Sequence, residues 1–298
     1  MFRRRFLGYF LLFAGGCTAA TNNIDSSHNN SLLKEKQKLR FAVSDVQGMA
    51  ELEQDYGLFR TALEEVLETK IEFFSVDNVV EVAAALKLGL VDLVLVGPSE
   101  YVIVTARTNA VPIVALTRHN YFSIIAVRAD SDIQSLADLK GRTIELGEIG
   151  ITGNHIGQMK MLMDAELNPQ SDLKIINSID YKLKALKNGE VDAWGRVIHK
   201  YKKALKDEGE SEEDYPILAR SIDLPNDVFV ASSQLESALV VEIRDRMLKN
   251  KDKLVQSIIS VPAFAAKFKD STLAPANDSD YDMIRDVYKA MGQDKFSN

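Results

Sequence analysis

Short apolar runs at residues 39–43, 71–75 and 91–96 are rich in Val, Ile, Leu and Phe and predict β-strands. The 91–96 run is apolar almost throughout, as in a strand buried on both faces of a parallel sheet. Between the runs the period lengthens. Tyr56, Phe59, Leu63, Val66 and Leu67 share one helix face, and residues 79–88 predict a second helix that Gly89 is placed to end. Gly97, Pro98 and Ser99 open a third helix, with proline in the first turn where its missing N–H costs nothing. Further strands are predicted at 111–115, 121–127, 142–146, 173–177, 191–194, 217–221 and 228–231. Residues 197–206 form an amphipathic helix, and the chain from Ser237 onward reads as mostly helical. Alternating strands and helices predict an α/β fold of right-handed βαβ units.

One segment is repeated. Residues 85–92 and 185–192 share Ala-Leu-Lys-x-Gly-x-Val-Asp, each time after a strand and a loop. A spacing of this length is too long for a solenoid and fits two similar βαβ units, one in each of two lobes. Ligands of such sheets bind beyond the strand C-termini, so the cleft between lobes is the expected site.

The stretch 146–160 follows a strand and leads into a helical pattern of Ile156, Met159, Met163 and Leu167. Gly147, Gly150 and Gly153 lie between, with Thr152 where an N-cap would fall. A loop ending at a helix start offers unpaired N–H groups and the positive end of a dipole, which suits a small anion; an ordinary glycine turn with a threonine cap has the same pattern. Arg196, at the end of a strand, is expected on the surface, and Trp194 in the core or the cleft wall.

The net charge of -7 argues against a nucleic-acid surface and gives no general pull on anions, so an anion site must be local. Residues 1–5 carry three arginines, 6–13 are mostly apolar, and two glycines precede Cys17, the only cysteine. This predicts an export signal (residues 1–17) ending in a lipobox-like sequence, with Cys17 as the lipidated residue and residues 18–37 as a flexible tether. Phosphate-loop, nucleophile-elbow and dinucleotide fingerprints are missing, and the histidines show no metal-ligand spacing. No catalytic residue, metal or cofactor is therefore expected.

With these landmarks the chain resembles the periplasmic phosphonate-, phosphite- and phosphate-binding proteins of ABC transporters, the PhnD type. The resemblance rests on residues 41–44, 89–92, 97–101, 121–123, 135–141, 188–192 and 224–227, besides the glycine loop. It implies a two-lobed periplasmic-binding-protein fold of class II type, each lobe a mostly parallel sheet flanked by helices. Lobe 1 comprises residues 38–118 and 230–298, and lobe 2 residues 119–229. It also implies a monomeric, cell-envelope protein that passes a small oxyanion to an inner-membrane permease. In that family a Ser-Thr-Ser-Gly run grips the oxyanion through hydroxyls and backbone N–H groups. The aligned run here, residues 151–154, keeps only Thr152, with Ile151 and Gly153 in place of the serines. Two lost hydroxyl donors matter at about 1.5–3 kcal/mol for each hydrogen bond to a charged group. Backbone donors at Gly153, Asn154 and His155 remain, and the Asn154 and His155 side chains are expected to compensate. Tyr121 matches a hinge-side tyrosine and Asp227 an acidic residue facing the ligand. Ser99 belongs to the 97–101 landmark. A first-lobe tyrosine is replaced by Asn78, and a second-lobe histidine by Ile179. Alternatives are the same fold holding another small anion or an amino-acid-like solute, or an exported dehydratase-like enzyme.

Overall fold

A computed structural model describes residues 32–180, 182–293 and 295. The predicted signal, Cys17 and most of the predicted tether lie outside the described residues. The elements run α1 (Leu32–Glu35), β1 (Lys38–Val43), α2 (Met49–Leu67), β2 (Lys70–Phe73), α3 (Val79–Lys87), β3 (Leu93–Val96), α4 (Pro98–Thr108) and β4 (Val111–Leu116). There follow β5 (Ser123–Val127), β6 (Thr143–Leu146), α5 (Gly157–Asp164), β7 (Lys174–Asn177), α6 (Lys184–Lys187), β8 (Ala193–Val197), α7 (Ile198–Glu208) and β9 (Ile217–Arg220). The last are β10 (Asp227–Ala231), α8 (Ser237–Lys249), α9 (Lys251–Ile259), α10 (Pro262–Ala265), β11 (Leu273–Pro275) and α11 (Asp282–Ala290).

Two sheets result, in the orders β11-β4-β10-β3-β1-β2 and β7-β6-β8-β5-β9. Each contains a parallel trio, β2-β1-β3 in lobe 1 and β7-β6-β8 in lobe 2. Each trio is extended by an antiparallel strand, β10 beside β3 and β5 beside β8. The two-lobed α/β architecture is thus present, with mixed sheets. The reason is the chain's path: it leaves the first sheet after Leu116, builds the second, and returns at Asp227, so the strand entering each sheet after a crossing runs against its neighbours. Tyr121 and Phe122, expected to begin a strand, instead lie in the first crossing, and the strand starts at Ser123.

In lobe 1 the predicted helix face is buried: Tyr56, Phe59, Leu63, Val66 and Leu67 of α2 all point inward. The Phe59 ring lies 5.5 Å from Phe41 of β1 and 5.4 Å from Phe229 of β10, centroid to centroid. Such pairs add about 0.5–1.5 kcal/mol beyond their buried area, so this cluster joins helix and sheet. In lobe 2 Trp194 is fully buried beside Tyr201, whose hydroxyl donates to Tyr215 O at 2.7 Å.

Arg196 corrects an expectation. It is fully buried, not on the surface. Its guanidinium pairs with the Glu145 carboxylate and donates to the carbonyls of Gly195 (2.7 Å) and Asp180 (2.9 Å). A buried ion pair persists only when both charges are matched and hydrogen-bonded, and strand register is what brings this pair together. Glu145 lies opposite Trp194 on the adjoining strand.

Candidate functional site

The glycine segment of lobe 2 ends in a single π-turn, Thr152–Ile156, that continues directly into α5. The His155 and Ile156 N–H groups both donate to Ile151 O, at 2.9 and 3.1 Å. The turn's start has no side-chain cap and no acidic residue. Its glycines serve close packing more than flexibility. A Cβ on Gly153 would stand 3.0 Å from Val197 Cβ and 3.2 Å from the Tyr121 ring; one on Gly147 would stand 2.5 Å from Asn154 Cβ. A serine at position 153, as in the resembling family, is therefore sterically excluded unless Val197 or Tyr121 moves. The Gly153 carbonyl is held by Ser123 Oγ (2.9 Å) and Gln158 Nε2 (3.0 Å), which fixes the direction of the turn. Glu148 is exposed and does not face this turn's buried interior.

Thr152 is buried, and its hydroxyl oxygen accepts the Ser99 N–H at 3.1 Å. Ser99 lies in the first turn of α4 in lobe 1, so two helix starts from different lobes meet at one hydroxyl. The Tyr121 hydroxyl neighbours both Thr152 and Arg118. Burial, helped by the Asp227 charge, pushes the Tyr121 phenol up to about 12, while Arg118 and the Thr152 hydrogen bond pull it down; at neutral pH it is a donor. The Arg118 guanidinium stacks 3.5 Å above the Tyr121 ring. It also lies 3.7 Å from the Asp227 carboxylate, which Lys267 approaches at 3.6 Å. Asp227 is thus buried between two cations, at distances too long for direct hydrogen bonds.

The predicted residues fall into three groups. Ser99, Tyr121, Thr152 and Gly153 come together where the lobes meet, with Asp227 joined to them through Arg118. Asn154 and His155 belong to the same turn but are committed elsewhere. The Asn154 side-chain oxygen accepts the Val197 N–H at 3.0 Å, and the His155 N–H is consumed inside the turn. Burial lowers the His155 imidazole to about 4, so it is neutral, and its Nδ1 has no hydrogen-bond partner among the described residues. Asn78 stands outside this cluster. It is exposed and caps α3, accepting the Val80 and Glu81 N–H groups at 3.0 and 3.1 Å. Ile179 is exposed as well.

Sequence reasoning missed Arg118, His199 and Lys267. Together with Tyr121 they line a cavity of about 780 Å³. Its walls are the first crossing segment, the start of α7 and the segment following α10, so both lobes contribute. Loss of hydration in the cavity, and secondarily the charges of Arg118, Lys200 and Lys267, lower the His199 imidazole to about 4, although part of the ring remains exposed. The signal available in the sequence was the clustering of basic residues at 118–119, 199–203 and 267–269 in a chain of net negative charge.

A family model described as ABC transporter, phosphonate, periplasmic substrate-binding protein matches residues 41–281. The chain is similar to the phosphate-import protein PhnD of Mycolicibacterium smegmatis, with 21% identity over 305 residues covering 95% of this chain and 94% of that one. In structure it is similar to XAC2383 from Xanthomonas citri bound to ATP, at TM-score 0.65 and 15% identity, covering 87% of this chain and 98% of that one. It is also similar to PhnD1 from Prochlorococcus marinus in complex with methylphosphonate, at TM-score 0.60 and 18% identity, covering 86% of this chain and 99% of that one. At such identities the structural likeness speaks for the two-lobed fold alone.

Proposed function

We propose that this chain, which belongs to the family of periplasmic substrate-binding proteins of phosphonate ABC transporters, captures phosphonate, phosphite or phosphate in the cleft between its lobes. The ligand would then pass to an inner-membrane permease. The family and its relatives are solute-binding transport proteins, not enzymes, which sets aside the dehydratase-like alternative. The relative's name, a phosphate importer, and the methylphosphonate held by the Prochlorococcus protein support the choice of ligand class.

One observation carries the binding mode: the Thr152 hydroxyl oxygen, buried between two helix starts, accepts a backbone N–H from the opposite lobe. An oxyanion entering there takes over as acceptor of the Ser99 N–H. It gains the uncapped end of the 152–156 turn, the Thr152 and Tyr121 hydroxyls, and the nearby Arg118 charge. These donors replace the two family serines that are missing. Asp227 does not repel the anion, because Arg118 and Lys267 already balance it. A protonated oxyanion could also donate to it. Closure of residues 119–229 onto residues 38–118 and 230–298 would desolvate the ligand and strengthen each of these bonds.

The test is calorimetry and thermal shift on the full chain with phosphate, phosphite, methylphosphonate, 2-aminoethylphosphonate, methanesulfonate, sulfate and a neutral amino acid. A ligand present at a hundredfold its Kd should stabilise the protein by about 2.7 kcal/mol. A response to sulfonate, sulfate or amino acid alone would move the assignment to another solute on the same fold. The export signal, an acyl anchor on Cys17 and a monomeric state belong to the same proposal. If Cys17→Ala stays in the membrane fraction as the wild type does, the anchor is wrong.

A further inference from the structure

The hinge-side cavity has features that a grip for one small oxyanion does not require. At about 780 Å³ it falls in the range that encloses whole organic ligands, about 300–1,000 Å³. Of its fourteen lining residues five are Arg or Lys (Arg118, Lys200, Lys202, Lys267, Lys269) and one, Asp270, is acidic. Asp227 and Asp45 partly balance Arg118 and Lys267, at 3.6–3.7 Å, and the excess that remains is positive in a chain whose net charge is -7.

Three further observations point to an anion. The Arg118 side chain is only 9% exposed, and its Nε has no hydrogen-bond partner among the described residues. Its pairing with Asp227 at 3.7 Å and its contact with Tyr121 leave that Nε donor unmatched. Second, α7 begins at this cavity, with Ile198, His199 and Lys200 of its first turn in the lining. The helix is eleven residues long, without a side-chain cap and without an acidic residue in its first turn. The Ile198 N–H donates to Phe122 O at 3.0 Å, so the amide next in the turn, that of His199, is the one placed to meet a ligand. Third, the charges crowding His199 come from both lobes: Arg118 from the crossing, Lys200 from α7 itself and Lys267 from lobe 1.

The geometry points to a second anion subsite here, one that takes a ligand bearing two or more phosphoryl charges, held by Arg118 and the start of α7 with the lysines of 200–202 and 267–269 around it. A single small oxyanion would engage only one or two of these cations. A pyrophosphate-like group reaches the start of α7 with one phosphoryl and the lobe 1 lysines with the other, and so draws the two lobes together. This inference rests on the reading of the chain as a solute binder; it shares Arg118 with the Thr152 grip, whereas the start of α7 and the lysines belong to the second subsite.

Inorganic pyrophosphate is the probe. Calorimetry on the full chain at 0.15 M salt should give binding at least about tenfold tighter than sulfate, weakening as salt is raised. Arg118→Gln should weaken pyrophosphate by about tenfold or more, since it removes a charged hydrogen bond in a buried setting. Because Arg118 also packs on Tyr121, the exposed pair Lys202→Gln with Lys269→Gln serves as a second variant that leaves the core untouched. It should cost several-fold. Pyrophosphate should also raise the His199 imidazole from about 4, read by NMR titration against the charges that face it from the crossing, α7 and the segment after α10. Pyrophosphate no tighter than sulfate would overturn the proposal. So would binding that falls with Thr152→Val but is indifferent to both cavity variants. Methylphosphonate is titrated in parallel. If it fails while pyrophosphate binds, the small-oxyanion reading falls and the second subsite stands; if it binds while pyrophosphate fails, the second subsite falls and the small-oxyanion reading stands.

Discussion

In lobe 1 the Asp92 N–H donates to Arg40 O at 2.9 Å, and the Arg40 N–H returns to the Asp92 carboxylate at 2.8 Å. In lobe 2 Asp192 and Thr143 make the same two bonds, both at 2.8 Å. The preceding glycines match too: Gly89 and Gly189 stop their helices at φ 63° and 70°, a region that only glycine enters cheaply. The shared Ala-Leu-Lys-x-Gly-x-Val-Asp sequence is thus one structural device used twice, a helix stop followed by a clip between neighbouring strands.

Beyond the clip the lobes diverge in where they place charge. Lobe 1 neutralises its cleft-side helix start from within. The Glu100 carboxylate in the first turn of α4 accepts the Gly97 N–H at 2.9 Å and the Ser44 hydroxyl. Lobe 2 leaves both of its cleft-side starts, at Thr152 and at Ile198, without side-chain caps or first-turn carboxylates. Uncapped cleft-side helix starts free of carboxylate are therefore a feature of lobe 2, whereas lobe 1 offers the Ser99 N–H and the side chains of Lys267 and Lys269.

The clip provides the largest test of this comparison. Asp92 is the more enclosed of the two, its side chain 5% exposed against 32% for Asp192. Burial opposes its ionisation, but hydrogen bonds from Arg40 and Lys36 outweigh that and hold the carboxyl below its usual range. Asp92→Asn should cost about 1.5–3 kcal/mol in urea unfolding at pH 7. Asp192→Asn, with a weaker partner and more water, should cost under about 1 kcal/mol. A depressed folded-state pKa means stability present above the ordinary value near 3.8 and lost as pH falls through the folded value. The gap between wild type and Asp92→Asn should therefore shrink below about pH 4. Equal costs for the two variants would show that the clip's backbone bonds, not the charges, hold it.

Next in size is Thr152→Val, which should weaken oxyanion binding by about tenfold, ~1.4 kcal/mol, with the Tm of the empty protein within a few degrees. A matching loss of stability would make Thr152 a fastener between the lobes and nothing more. The smallest effect is expected from Glu100→Gln. Removing the carboxylate from the α4 start should improve oxyanion affinity by about twofold to fivefold, through a helix-end charge effect of about 0.3–1 kcal/mol. No change in affinity would mean that the α4 start does not face the ligand, and the contrast between the lobes would lose its functional meaning.

Much of the fold was legible because the information was local. Apolar runs marked the strands, the spacing of Tyr56 to Leu67 marked the buried face of α2, and the repeated octapeptide marked two equivalent units. Thr152 and Tyr121, which the fold brings together, were legible as candidates for the same reason, since each sits in a motif a few residues long. Arg196 was not. Its burial depends on Glu145, fifty-one positions away, lying on the neighbouring strand at a matching height. The glycine loop differs in kind from its appearance: its residues look flexible in sequence, but Val197, Tyr121 and Asn154 press against them.

The sequence by itself determined which segments become strands and helices, where helices stop, and that two similar units are present, because these follow from side-chain period and backbone freedom within a few residues. Only the tertiary structure decided which charges face one another. Lys267 meets Asp227 and Arg118 meets Tyr121 because the chain crosses twice between sheets and brings a late segment back to the first crossing. The basic clusters at 118–119, 199–203 and 267–269 are visible in the sequence, but nothing local says that they meet. Their convergence on one cavity is a property of the closed path of the chain, and electrostatic energy depends on that distance in space rather than on separation along the sequence.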